Sequence, residues 1–488
     1  MDGQEHLDRL SAIDAGFLAQ EKPNTHMHIG ALALFEGEPP ELDAFLAHIE
    51  SRLHLVPRYR QKLATPPLET GRPLWIDDPT FNLAYHVRHT ALPPPGEEEA
   101  LLNLCARIFS QRLDRSKPLW ELWLVEGLDE RSGDDASGRG RGGFALISKT
   151  HHAVVDGVSG VDLSTVLFDL SPEVKPAEAR EPWVPQPEPT GAELAARGLS
   201  GAVRAAADVA TGALGAVSHP PASARGLVTA SLGALERARE VAAGVGEVAW
   251  TALNHPPDTP FNVPPGPHRR IKVVRAGLDE FKTVKDAFGT TVNDVVLAVV
   301  TGALAFFLQS RGRRTEGVEL KAAIPVSVRT EEQQGALGNQ LTQLMAPLPV
   351  FLDDPLARLR YVKDAMDGLK ESRQLLAASA IASLQDFAPP TLHAQASRLN
   401  FSGRFFNLLV TNVPGPQFPL YVLGRRMSEI FPIPFLAGER ALAIAIISYD
   451  GKVGFGLLGD YDALPDLDVV AEGIEASLAQ LVALAQTP

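Results

Sequence analysis

The chain has 488 residues, of which 45% are hydrophobic and 21% charged; that is enough apolar material for a core in each of two domains, and it excludes disorder over most of the length. A formal net charge of -14 repels phosphate backbones and excludes nucleic acid as a natural partner. The single cysteine, Cys105, excludes an internal disulfide and fits a reducing compartment.

The opening residues, Met1 to His6, are polar and acidic, and no export signal is expected there. Ile29 to Phe35 reads as a strand, and Leu42 to Leu53 has the apolar spacing of a helix. Glu98 to Phe109 reads as a second helix, with Leu101, Leu102, Leu104, Cys105 and Ile108 on its apolar face. Leu122 to Val125 and Phe144 to Ser148 read as strands, separated by the Gly-, Asp- and Arg-rich loop 129–143. A helix is expected to start near Ser159.

The composition then changes. Pro172 to His268 opens and closes with Pro-rich stretches around an Ala/Gly-rich centre, Gly191 to Leu253, and reads as a crossover with small helices. The expected organisation is therefore a first domain over 1–171, a linker over 172–268 and a second domain over 269–488. In the second domain Ile271 to Arg275 and Leu320 to Val328 read as strands; Leu278 to Asp286, Asn293 to Ser310 and Leu356 to Leu376 read as helices. Ala443 to Tyr449 and Val453 to Leu458 flank Asp450-Gly451, a hairpin signal because the tight turn needs positive φ. Asp468 to Leu484 is the closing helix. The longest apolar run, Val295 to Leu308, is interrupted by Thr301 and Gly302 and is shorter than the roughly 20 residues of a bilayer span. A soluble protein, or one bound only at a membrane surface, is expected.

The chemistry concentrates where the strand ending at Ser148 runs into His151-His152, followed by Asp156-Gly157. A strand end is a rigid platform, Gly157 permits a sharp turn, and histidine is the side chain best suited to removing a hydroxyl proton near neutral pH. Asp156 can fix the loop or orient a ring. The same residues are compatible with a metal site, although no third ligand cluster stands nearby, and with an incidental histidine pair. Elsewhere, Asn293, Thr411 and Asn412 can each donate a hydrogen bond to an oxyanion. Asn293 also reads as a helix N-cap, Asp294 as a first-turn acid and Asn412 as a turn residue ahead of Pro414. Trp120 reads as core or site wall, and His26, His28 and His86 as structural.

The run His151-His152-Ala153-Val154-Val155-Asp156-Gly157 resembles the His-His-x-x-x-Asp-Gly signature of the chloramphenicol-acetyltransferase-like acyltransferases. Leu10 to Leu18, Pro118-Leu119-Trp120, Asn293-Asp294, Gly338-Asn339 and Asn412-Val413-Pro414-Gly415-Pro416 narrow the resemblance to the bacterial wax ester synthase/acyl-CoA:diacylglycerol acyltransferases. The resemblance implies an α/β fold of two such domains, each a mixed sheet with helices, and an active-site tunnel between them. It implies His152 as general base, with His151, Asp156 and Gly157 supporting the motif and Arg329 as partner to Asp156. Pro118, Leu119, Trp120, Asn293, Asp294, Thr411 and Asn412 become candidate substrate-binding residues. No metal or cofactor is implied beyond acyl-CoA as co-substrate. The acceptor is diacylglycerol or, alternatively, a long-chain alcohol, and a peripheral contact with a membrane or lipid droplet is compatible. A non-catalytic lipid-binding relative and a peptide-forming condensation domain are the readings from other classes.

Overall fold

The computed structural model describes residues 8–67, 71–129, 143–154, 167–174, 182–194, 196, 256–327, 341–371 and 405–487. Two mixed six-stranded sheets organise them. The first half supplies α1 (Ala12–Gln20), β1 (His28–Phe35), α2 (Leu42–Glu50), the hairpin pair β2 (Gln61–Ala64) and β3 (Leu74–Asp77), the short α3 (Leu83–His86), β4 (Val87–Ala91), α4 (Glu98–Phe109), β5 (Trp120–Leu128) and β6 (Gly143–His151). The second half supplies β7 (Arg269–Gly277), α5 (Leu278–Phe288), α6 (Val292–Ser310), β8 (Leu320–Ser327), β9 (Leu341–Leu348) and α7 (Pro355–Glu371). It closes with β10 (Leu408–Pro414), β11 (Tyr421–Val422), β12 (Arg425–Ile433), β13 (Leu442–Tyr449), β14 (Lys452–Asp460) and α8 (Leu467–Gln486).

The first sheet has the order β11-β12-β1-β6-β5-β4 and the second β7-β14-β13-β10-β8-β9. β4 and β5 run parallel in the first, as do β8, β10 and β13 in the second. The expected α/β fold of two mixed sheets is thus observed, and one pair of strands crosses from the second half into the first sheet. Residues 421–433 belong by sequence to the second half and form the far edge of the first sheet, with Gly30 opposite Ile433 and Leu34 opposite Glu429. A chain cut at 268 would leave β1 an open edge with unpaired amides and carbonyls.

Local chemistry explains the elements. α4 opens on Glu98 and Glu99, ends with Arg107 in its last turn, and buries Leu101, Leu102, Cys105, Ile108 and Phe109; each charge suits the helix dipole at its end. α6 begins with a capping box in which the Thr291 hydroxyl accepts from the Asp294 amide and the Asp294 carboxylate accepts from the Thr291 amide at 2.8 Å. Its interior is apolar on every face, and it packs against α7 and α8 as the central helix of the second half. It is long and apolar enough to cross a membrane, and it is mostly buried within the protein. A Cβ at Gly473 of α8 would sit 2.9 Å from the Ala303 Cα of α6, so glycine sets how closely these helices approach. In the β13–β14 hairpin Asp450 and Gly451 take φ of 45° and 79°, as the Asp-Gly signal requires.

A second core joins the two sheets. It unites Phe17, Met27, Leu32 and Ile147 from the first half with Ile271, Leu409, Phe431, Phe435 and Leu458 from the second. The crossover begins alongside the first half, where Glu188 pairs with Lys62 at 2.7 Å and the Gln186 amide donates to Asp77. It ends at buried Asn407, which accepts from the Lys321 amide and donates to the Pro257 carbonyl. The Ala/Gly-rich centre beyond residue 196, the start of the helix expected from Ser159 and the end of the helix expected to reach Leu376 lie outside the described residues.

Candidate active site

β6 carries the two histidines into different surroundings. His151 ends the strand, opposite His28 of β1, and its amide donates to the Leu119 carbonyl at 3.0 Å. Its Nδ1 accepts from the Ala153 amide at 3.0 Å, so in the neutral ring the proton sits on Nε2. That Nε2 lies 3.9 Å from the carboxylate of Glu21, which also stands 3.3 Å from His28 Nε2. The other carboxylate oxygen of Glu21 accepts from Arg115 Nη2 at 2.6 Å, Arg115 Nε at 3.0 Å and Arg112 at 3.0 Å. Burial alone would raise the Glu21 pKa; the adjacent His28 ring and the charge of Arg115, joined by His151 and His28 once acid protonates them, outweigh it and hold the carboxyl far below the usual range. Burial lowers His28 to about 3 and pushes His151 well below its ordinary value, so both rings are neutral at pH 7.

His152 turns away from this cluster. Its amide donates to the Met27 carbonyl at 2.8 Å, its ring stacks on Phe17 at 4.0 Å between centroids, and Phe435 stands perpendicular to it at 5.7 Å. His151 is 1% exposed, whereas His152 keeps part of its surface open. Of the pair, His152 is the ring a substrate can reach. Burial pulls its pKa down to about 4. The imidazole is therefore an unprotonated base at neutral pH, and its conjugate acid, once formed, is a ready proton donor.

Asp156, Gly157, Arg329, Gly338 and Asn339 lie outside the described residues. Pro118, Leu119 and Trp120 are buried: Trp120 is 1% exposed, donates from Nε1 to the Tyr59 carbonyl at 2.8 Å and stacks on His86. The Leu119 carbonyl holds the His151 backbone. Asp294 is committed to capping α6, and the N-cap is Thr291 rather than Asn293. Asn412 is not a turn residue; it lies in β10 opposite Ile446, and its Nδ2 donates to the Asn293 Oδ1 at 3.4 Å. Thr411 precedes it on the strand and is partly buried. The structure thus brings Asn293 and Asn412 together across α6 and β10.

Glu21, His28, Phe17 and Phe435 surround the histidines without having been singled out as partners. Phe17 lies inside the Leu10–Leu18 segment, which is the one sequence signal for any of them. Among the described residues no group of three His, Cys, Asp or Glu side chains is placed to hold a metal. A cavity of about 410 Å³ opens between the sheets, lined by Arg275, Gly277, Glu429, Phe431, Lys452 and Gly454; His152 is not in its wall.

Two mixed sheets, one completed by strands from the other half, with a neutral histidine at the end of a central strand, define an acyltransferase-type fold. A trichothecene 15-O-acetyltransferase from Fusarium sporotrichioides has the same fold, at 12% identity, TM-score 0.60 and coverage of 97% of this chain and 95% of that one. The wax ester synthase/diacylglycerol acyltransferase from Marinobacter aquaeolei VT8 matches at TM-score 0.63 and 25% identity, over 98% of this chain and 99% of that one. In sequence, residues 10–296 match the wax ester synthase/diacylglycerol acyltransferase catalytic domain and residues 337–482 the C-terminal domain of the same family. A probable diacylglycerol O-acyltransferase of Mycobacterium tuberculosis is 32% identical over 98% of this chain and 97% of its own length. The chain belongs to the wax ester synthase/diacylglycerol acyltransferase family and is an acyltransferase.

Proposed function

We propose that this acyltransferase moves a long-chain fatty acyl group from acyl-CoA to diacylglycerol, forming triacylglycerol, with His152 as the general base and without an acyl-enzyme. The observation that carries the reading is the setting of His152: a neutral imidazole at a strand end, partly open, with its neighbour His151 locked into a buried cluster. The imidazole removes the proton of the acceptor hydroxyl as its oxygen attacks the thioester carbonyl. The tetrahedral oxyanion collapses, the carbon–sulfur bond breaks, and the imidazolium returns the proton to the departing thiolate of coenzyme A. A positioned base of this kind contributes about 10²–10⁴ in rate, and holding both substrates together supplies much of the rest. The amides of Asn293 and Asn412 are the candidate oxyanion donors, and no metal or prosthetic group takes part.

Diacylglycerol is favoured as acceptor by the names of the full-length mycobacterial relatives. Transfer to a long-chain alcohol, giving a wax ester, is the second reading, because the Marinobacter relative carries both activities in its name. Work on lipid substrates fits a cytoplasmic protein docked peripherally on a membrane or lipid droplet. The test offers palmitoyl-CoA with diacylglycerol and hexadecanol in separate and in mixed reactions, and identifies the products. Triacylglycerol as the dominant ester supports the proposal. Wax ester as the dominant product transfers the name to the second reading, and no ester with either acceptor overturns both.

A further inference from the structure

We propose that Phe17 and Phe435 form an aromatic clamp that positions the His152 imidazole, Phe17 against one face of the ring and Phe435 at its edge, one jaw from each half of the chain. The inference rests on the reading of His152 as the base. A catalytic imidazole needs a defined ring orientation, and a hydrogen bond to a ring nitrogen is the common way to fix it. Among the described residues, His152 Nδ1 is enclosed and bonds to no group outside its own residue. Its main chain is tied to Met27 by the amide bond, but that leaves the ring torsions free. Among the described residues, it is packing that holds the ring.

The geometry supplies that packing. Phe17 covers one face of the ring at 4.0 Å and 22° between planes. Phe435 meets it at 90°, and the two phenyl rings meet each other at 6.4 Å and 79°. Phe17 is 7% exposed and Phe435 6%. Both jaws are anchored. α1 begins at Ser11, whose hydroxyl accepts from the Asp14 amide at 3.1 Å. The segment after Phe435 is held by buried Arg440, which donates to the Ala437 carbonyl at 3.2 Å and to the Phe406 carbonyl at 2.8 Å. The clamp closes only when the second half docks on the first, so it couples the competence of the base to assembly of the interface.

Titratable groups on the elements packed around His152 are Asp14 and Glu21 at α1, His26 and His28 beside Met27, His151 next in the chain, and Glu439 and Arg440 beyond Phe435. None of them figures in the shift of His152, which comes from burial and its own main chain. The clamp therefore sets both ring orientation and solvent cover, and the two can be separated.

The test compares Phe17→Tyr, Phe17→Leu, Phe17→Ala and His152→Ala in the intact chain, with kcat, KM, a pH–rate profile and a thermal melt for each. Phe17→Tyr keeps the stack and is expected within about threefold of wild type. Phe17→Leu keeps cover but loses the stack, and kcat is expected to fall about tenfold with KM little changed. Phe17→Ala uncovers the ring, and the acid limb of the profile is expected to move up by about one pH unit. If Phe17→Leu does not fold, Phe435→Leu serves in its place with the same expected split. A folded leucine variant with wild-type kcat, or a fall in kcat that Phe17→Tyr shares, overturns the clamp. If His152→Ala itself retains activity, it is the base assignment that fails; if His152→Ala is inactive and the leucine variants are not impaired, the clamp alone fails.

Discussion

His151 and His152 are adjacent in the chain, yet their rings occupy opposite environments: His151 points into the molecule, 3.9 Å from Glu21, and His152 lies against Phe17 at the junction of the two halves. The strand explains the divergence. Successive side chains point to opposite faces, and β6 ends at His151, so its neighbour leaves the ladder on the other side. His151→Ala removes an acceptor from the Ala153 amide and a buried neighbour from Glu21, and is expected to cost about 1–3 kcal/mol. His152→Ala leaves no such orphan and is expected to cost less than about 1 kcal/mol. Urea denaturation at pH 7 measures both.

The buried histidines predict acid sensitivity. Burial lowers the pKa of His26, His28, His48, His86, His151 and His152 in the folded protein. Between the folded values and the unfolded value near 6.5 the unfolded chain binds more protons, so stability rises with pH there and is lost as pH falls below about 6.5. Each such group contributes a slope of up to about 1.4 kcal/mol per pH unit in its window. Thermal melts from pH 7.5 to 4.5 are expected to show a steep fall below 6.5, and a flat profile would contradict the buried neutral state.

Glu21 predicts a variant with its own pH signature. Its folded carboxyl titrates far below the ordinary range, so its stabilising contribution is present above about pH 4.3 and is lost as pH falls below that. Arg112 and Arg115 are 43% and 39% exposed, so solvent screening limits what the pairs contribute. Glu21→Gln is expected to lose about 1–2 kcal/mol at pH 7. The gap from wild type should narrow as pH drops below 4, as read from urea melts across that range.

Asn293, Asn412 and Asp294 separate chemistry from scaffolding. If the two amides hold the oxyanion, Asn412→Ala lowers kcat by about 10²–10³ with little effect on stability. Asp294→Ala breaks the capping box of α6 and is expected to cost about 1 kcal/mol of stability while leaving kcat near wild type once folded. Steady-state kinetics beside denaturation curves distinguish the two classes.

Much of this was legible in the chain. The helices over Glu98–Phe109 and Leu278–Phe288 and the 450–451 turn have local causes, namely apolar spacing, terminal charges and an Asp-Gly pair. The histidine pair was legible as a motif. What no local pattern showed was the exchange of β11 and β12 into the first sheet, because strand pairing across some 400 residues leaves no periodic trace. Glu21, His28 and Phe435 were unreadable for the same reason: a helix end, a strand start and a distant loop meet only in three dimensions. Trp120 was legible as a core residue: its buried indole donates to the Tyr59 carbonyl, and its neighbour Leu119 holds the His151 backbone.

The most direct test of His152 as the general base is thiol release from palmitoyl-CoA in the presence of diacylglycerol, measured side by side for the wild type and His152→Ala, with equal folded fractions confirmed by thermal melt. Acceptor-dependent release and ester formation are expected of the wild type, reduced at least about 10²-fold in the variant, with no acyl group retained on the protein. Wild-type turnover in the variant, or an acyl group trapped covalently on the chain, would contradict this mechanism.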